Sequence, residues 1–326
     1  MANCHNLFQD FHIDISIGKT KKDRMMDSKD GLRNRIRKWF KDNHPGYEPK
    51  FYIQGSYKTK TGIRTKDDIC DLDDGIYFFR EPDVSATTLQ TWVWKAVDGY
   101  TSSTPEYRKK CIRSIFAGDY EIDHPVYYKV NGQNYRLAIK DNGFEDSDSK
   151  EMVDWFNKQK DRDGKLIRQV KYLKAWCDNK LYKMPSGLAM TILASNAKAR
   201  IVLNDRDDIT LKDILKEIKK ALDIRFECIV PAVPNDDLLA DYDETRKNNF
   251  LTTLNNFVED AEKALREENQ LTSSKLWKTH LGDRFPEGED KKDESISQYD
   301  AAIAAGAAKS NPWVNEKCIS NIHKGS

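Results

Sequence analysis

The sequence predicts an α+β protein, with a mixed-sheet core over residues 1–145, a helical domain over 146–286 and an active-site cleft between them. Three observations carry this expectation. Runs rich in β-branched and aromatic residues, at 51–53, 70–79, 120–130 and 135–139, are confined to the first half. From about residue 149 the apolar residues recur at helical spacing. Gln54-Gly55-Ser56-Tyr57, at the exit of one run, is followed fifteen residues after the serine by Asp71-Leu72-Asp73-Asp74-Gly75 in the next.

Taken in order, Leu32, Ile36, Trp39 and Phe40 predict a helix over 28–43, closed by Pro45, Gly46 and Pro49. Phe51-Tyr52-Ile53 is the first strand and Gly55-Ser56 its exit turn. Lys58, Lys60, Arg64 and Lys66 then form a basic stretch, either a solvated loop or a face turned to a triphosphate. Cys70 to Phe79 is the second strand, and Ser85 caps a helix buried through Leu89, Trp92, Val93, Ala96 and Val97. Tyr120 to Val130 is a third strand, which Asn131-Gly132 turns into the return at 135–139. Leu166, Val170, Leu173 and Cys177 form a helical stripe flanked by Lys171 and Lys174. Ser186 caps a helix through Ser195, and Thr210-Leu211-Lys212-Asp213 reads as a capping box. Residues 229–242 form an ordered loop before a long amphipathic helix with Phe250, Leu254, Phe257, Val258, Ala261 and Leu265 inward. Residues 287–326 read as a flexible tail.

Composition excludes several functions. Net charge is +1, so the electrostatic footprint of a duplex DNA binder is missing. With 38% apolar and 33% charged residues, and no apolar run near the length of a membrane span, no membrane role is expected. The start, Met1-Ala2-Asn3-Cys4-His5, lacks a signal peptide's order. Six cysteines without C-x-x-C spacing read as reduced thiols in a cytoplasmic protein, and the six histidines form no zinc pattern with them.

The chemistry lies in the acids. A strand has a side-chain period of two, so Asp71 and Asp73 share a face while Asp74 points away, as a structural acid paired to a lysine. Like charges held side by side call for a cation between them, and magnesium prefers such oxygen ligands. Gly55 lets the backbone approach a ligand, and Ser56 adds a hydroxyl suited to phosphate. Taken alone, Asp123 reads as an edge-strand charge facing water, Lys171 as a solvated lysine and Ser186 as an ordinary N-cap. His124 reads as a core or surface residue.

Gly55-Ser56 with Asp71-x-Asp73 resembles the signature of the polymerase-β-like nucleotidyltransferases. The segments Tyr120 to Tyr128, Ser147 to Phe156, Leu166 to Trp176 and Leu276 to Pro286 are similar to those of bacterial DncV-like CD-NTases, relatives of animal cyclic GMP-AMP synthase and oligoadenylate synthase. The resemblance covers roughly residues 28–286. It implies that Asp71, Asp73 and Asp123 hold two Mg²⁺ ions (Mn²⁺ as substitute), and that Gln54, Gly55, Ser56, Lys171 and Ser186 bind the donor nucleotide. It also implies nucleoside triphosphate substrates, ATP and GTP foremost, joined into a cyclic oligonucleotide for antiphage (CBASS) signalling. The zinc insertion by which the animal sensor docks DNA has no counterpart. An operon-encoded conjugating or regulatory protein acting on Gly325-Ser326 is a further implication. The alternatives are an enzyme making linear oligonucleotides or modifying RNA or a small molecule, and a non-catalytic nucleotide-binding module.

Overall fold

The computed structural model describes residues 2–291. Helix α1 (His5–Ile15) leads into α2 (Lys19–Asn43), longer than expected at its start. Its added turns hold because Lys21 donates to the Asp68 and Asp119 carbonyls at 2.6 and 3.2 Å, so a charge-rich segment still docks. Strand β1 (Lys50–Gln54) is followed by the short helix α3 (Gly55–Thr59), strand β2 (Cys70–Phe78) and helix α4 (Ala86–Val97). Ser85 caps α4 as expected, accepting from the Thr88 amide at 3.1 Å. The rest of the sheet is β3 (Glu106–Tyr107), β4 (Ile112–Phe116), β5 (Tyr120–His124), β6 (Val126–Tyr128), β7 (Arg136–Ile139) and β8 (Gly143–Asp146).

Strand β2 is the axis of this sheet. It pairs antiparallel with β1, and parallel with β5 and then β6. The expected third strand is thus broken by Pro125, which lacks an amide to continue the ladder, but both pieces run along β2. Strand β5 is flanked by β2 and β4, so it is interior and Asp123 is no edge charge. The turn at Asn131-Gly132 joins β6 to β7 as expected, with Tyr127 opposite Leu137.

The helical domain comprises α5 (Ser149–Gln159), α6 (Lys165–Asp178), α7 (Gly187–Lys198), α8 (Asp207–Ile224), α9 (Glu244–Arg266) and α10 (Gln270–Leu281). Leu166, Val170 and Leu173 are fully buried, as the stripe requires, whereas Cys177 is half-buried and Trp176 is fully buried beside it. Helix α8 begins three residues before the expected capping box. Thr210 instead donates to the Asn204 carbonyl at 3.1 Å, and the first turn is set by Asp207 and Asp208, paired to Arg168 and Arg206. Residues 288–291 are part of the fold rather than the tail, since the Glu289 and Lys291 carbonyls accept from the amides that open α10, at 3.0 and 3.1 Å. The rest of the expected tail, including Gly325-Ser326, lies outside the described residues.

Two apolar cores result. Helices α2 and α4 pack with the sheet, whereas α1 joins the helical domain, with Phe8 and Phe11 edge-on to Tyr172, Trp277 and Phe285 or stacked on them. Asp74, on the face of β2 away from Asp73, is fully buried and held by the Arg33 guanidinium on both oxygens, not by a lysine. Arg33→Met would strand that charge. We predict a loss of about 3–5 kcal/mol, read as a lowered urea midpoint at unchanged m-value.

Candidate active site

The site is set by one register. In the parallel β2–β5 pair, Asp73 lies opposite Asp123 and Asp71 opposite Glu121. Registered partners project to the same side, so Asp71, Asp73, Glu121 and Asp123 occupy one face. The sheet therefore unites the three expected acids and adds a fourth. The antiparallel β4–β5 pair places Arg113 opposite Asp123. Its Nε and Nη2 each reach an Asp123 oxygen at 2.7 Å, and Nη1 is paired with Glu121.

The electrostatics follow from this crowding. Burial first, then Asp123 and Asp71, push the Asp73 carboxyl up to about 7. Asp71 opens onto the cleft but lies deep within it. Burial raises its carboxyl, with Asp123 adding and Arg113 opposing. Lys174 faces the pair from α6 and donates to the Thr61 carbonyl and hydroxyl at 3.2 and 3.1 Å. Burial brings its ammonium down to about 8, against the pull of Asp71 and Asp73.

Gly55 has φ +61°, and a Cβ there would fall on the Asp73 carboxylate, so the sharp exit from β1 brings backbone against acid in a way only glycine permits. Gln54 is buried. Its amide donates to the Tyr127 hydroxyl at 3.1 Å and accepts from Tyr77 at 2.8 Å, which commits it to holding the turn. A cleft of about 450 Å³ is lined by Gly55, Ser56, Asp71, Asp73, Lys174 and Gly187.

Two expected contacts fall elsewhere. Lys171 sits one turn before Lys174 and donates to the Ser16 hydroxyl at 2.8 Å, lining a different cavity. Ser186 caps α7, accepting from the Ala189 amide at 3.2 Å, and its neighbours Gly187 and Leu188 line the acid cleft in its place. His124 is a core residue, buried with Nε2 beside Ser114 at 3.3 Å. Sequence reasoning missed Lys174 as a cleft residue and Arg113 as the partner of Asp123. The second was detectable, because Ala117-Gly118-Asp119 centres a hairpin that sets 113 against 123.

The donor set suits a hard divalent cation, being all carboxylate with repulsion that such an ion would relieve. Yet among the described residues no group of three His, Cys, Asp or Glu is spaced to hold one. Asp71 and Asp73 stand together, while the Asp123 carboxylate is taken by Arg113.

The family model for the nucleotidyltransferase domain of DncV-like cyclic GMP-AMP synthases matches residues 49–127, the span from β1 to β6. Over that span the chain is similar to the DncV-like nucleotidyltransferase domain. A cyclic GMP-AMP synthase of Escherichia albertii is 28% identical over 239 residues, 68% of this chain and 52% of the relative, so the match spans about half of that protein. The DncV cyclic AMP-GMP synthase of Vibrio cholerae, solved with nonhydrolyzable GTP, is 19% identical and superposes with a TM-score of 0.77 over 87% of this chain and 97% of its own. The same enzyme with the linear intermediate pppA(3′,5′)pG gives 0.75 at 19% identity, over 87% of this chain and 96% of that one. The DncV-like fold is therefore shared along most of the described chain, and the resemblance expected from the sequence motifs is borne out.

Two predictions follow from the DncV-like geometry. Folding raises the Asp73 pKa, so this carboxyl favours the folded state only while protonated. Its contribution falls as pH rises from about 4 and is fully unfavourable above about 7. Asp73→Asn in EDTA should therefore raise Tm by a few degrees at pH 8 and leave it nearly unchanged at pH 5, measured by calorimetry. Gly55→Ala forces a left-handed residue with a side chain onto Asp73. It should cost about 1–2 kcal/mol in chemical denaturation and abolish any activity of the site.

Proposed function

We propose that the protein is a nucleotidyltransferase that joins nucleoside triphosphates 3′–5′ into a cyclic oligonucleotide. The supporting observation is the register that sets Asp73 beside Asp123, with Asp71 on the same face and Gly55-Ser56 against it. The 3′-hydroxyl oxygen of the acceptor attacks the donor α-phosphorus, the bond to the bridging oxygen breaks, and pyrophosphate leaves. Asp71, Asp73 and Asp123, the last freed from Arg113, would hold two magnesium ions. Bound there, these ions make the hydroxyl easier to deprotonate and neutralise the leaving pyrophosphate. Ser56 orients the donor's phosphates, Lys174 offsets their charge, and Gln54 keeps the turn rigid. Asp123, once released by Arg113, would receive the hydroxyl proton. In this assignment Lys174 takes the role the resemblance gave to Lys171, because it is the lysine facing the acids. Ser186 acts through the α7 cap.

The substrates are proposed as ATP and GTP, the nucleotides named for the Vibrio cholerae neighbours, and the product as a cyclic dinucleotide second messenger in antiphage (CBASS) defence. Among the described residues no helix is long and apolar enough to cross a membrane, which is compatible with a cytoplasmic setting. The test is to incubate the full chain with all four triphosphates and Mg²⁺ or Mn²⁺, treat with phosphatase and weigh the products. A phosphatase-resistant cyclic product is expected. Linear products would instead support oligonucleotide extension, and bound but unreacted nucleotide a binding module. Asp71→Asn and Lys174→Met should each lower turnover by roughly 10²–10³-fold with the thermal transition retained. Full activity in Asp71→Asn would refute the assigned site.

A further inference from the structure

A second cavity, of about 1010 Å³, lies between the α1–α2 junction, α3 and the start of α6. Ser56 contributes to its wall and to that of the acid cleft. Lys22, Lys58, Lys60 and Lys171 all line it. The first three make no ion pair among the described residues. Lys171 is only 8% exposed, and among the described residues its sole side-chain hydrogen-bond partner is the neutral Ser16 hydroxyl at 2.8 Å. Burial, and then Lys22, bring its ammonium down to about 8 with no acid opposing. Arg168 adds a fifth cation at the edge, held by Asp207, and Asp163 is the one carboxylate in the lining.

A buried ammonium without a carboxylate is costly, so its retention beside three free ones calls for an anion from outside the chain. His12 adds to this. Its Nδ1 is buried with no partner, and burial together with Lys171 and Arg168 lowers the ring to about 4, which leaves it neutral and able to donate. The rest of the wall is apolar. Ile17, Ile53 and Ile167 line it, and Ile13 stands 71% exposed at the rim. Several ammonium groups suit adjacent phosphates, the isoleucines suit a flat apolar ring, and the volume admits both.

We propose that this cavity is a second nucleotide site, taking a nucleoside bearing two or more phosphates. It needs no carboxylate-bound metal, since lysines supply the countercharge. It therefore stands apart from the catalytic reading, although Ser56 joins the two.

The test is calorimetric titration of the full chain in EDTA with guanosine 5′-(β,γ-imido)triphosphate. Binding is expected, weakened at least ~10-fold by Lys171→Met and, separately, by Lys22→Ala combined with Lys60→Ala. These two lysines are exposed, so their loss spares the fold. Lys174→Met, in the acid cleft, should change the affinity by less than ~2-fold. Tripolyphosphate should bind at least ~5-fold more weakly, because it leaves the isoleucine wall wet. Absence of binding in EDTA, or loss in Lys174→Met with the other variants unaffected, would overturn the site. Equal affinity for tripolyphosphate would overturn its nucleoside part. Neither result bears on whether the protein turns over triphosphates with Mg²⁺.

Discussion

The interior of the sheet concentrates negative charge. Two parallel strands aligned at Asp73 and Asp123 put four carboxylates on one face, where water is scarce and repulsion is little screened. Such an arrangement folds only if countercharge is arranged around it. Arg113 comes from the neighbouring strand and Lys174 from the helical domain. The two cations differ in kind. Arg113 grips Asp123 in a planar fork, whereas Lys174 is held by Thr61 and acts on Asp71 and Asp73 by proximity. Any cation that takes Asp123 as ligand must compete with a bidentate guanidinium, but at Asp71 and Asp73 it meets no such rival.

The surrounding structure makes sense as support for that crowding. The β1 exit turns on a glycine so that backbone can lie against Asp73, and the turn is fixed by Gln54 between two stacked tyrosines, Tyr77 and Tyr127, with centroids 4.6 Å apart. On the opposite face of β2, Asp74 is neutralised by Arg33 from α2. Neighbouring acids on one strand thus serve separate ends, Asp74 tying a helix to the sheet and Asp73 facing the cleft.

What was legible in the sequence was what depends on local periodicity. Alternation placed Asp71 and Asp73 on one face, and the stripes of α4, α6 and α9 named their buried residues apart from Trp92 and Cys177, which are half-buried. What was obscured depends on pairing between distant segments. Asp123 looked like an edge charge because nothing within Tyr120 to Val130 says that β2 lies alongside. Lys171 and Lys174 are three residues apart on one helix, so the choice between them rests on how α6 is rotated against the sheet. The long start of α2 and the early start of α8 were hidden because charged residues there are buried by specific partners, Lys21 by carbonyls and Asp207 by Arg168.

The chain crosses between its two cores abruptly. Ile15 belongs to the helical core and Ile17 to the sheet core, and the return crossing follows β8, where Asp148 caps α5. Two fixed covalent crossings define a line. Rigid motion of one core against the other that keeps both intact reduces to rotation about that line, as a door swings on a pair of pins. Beside the first pin, Arg64 and Arg284 both donate to the Asp14 carbonyl and Arg284 also donates to the Arg64 carbonyl, so this cluster, together with Lys174 on Thr61, restrains the swing.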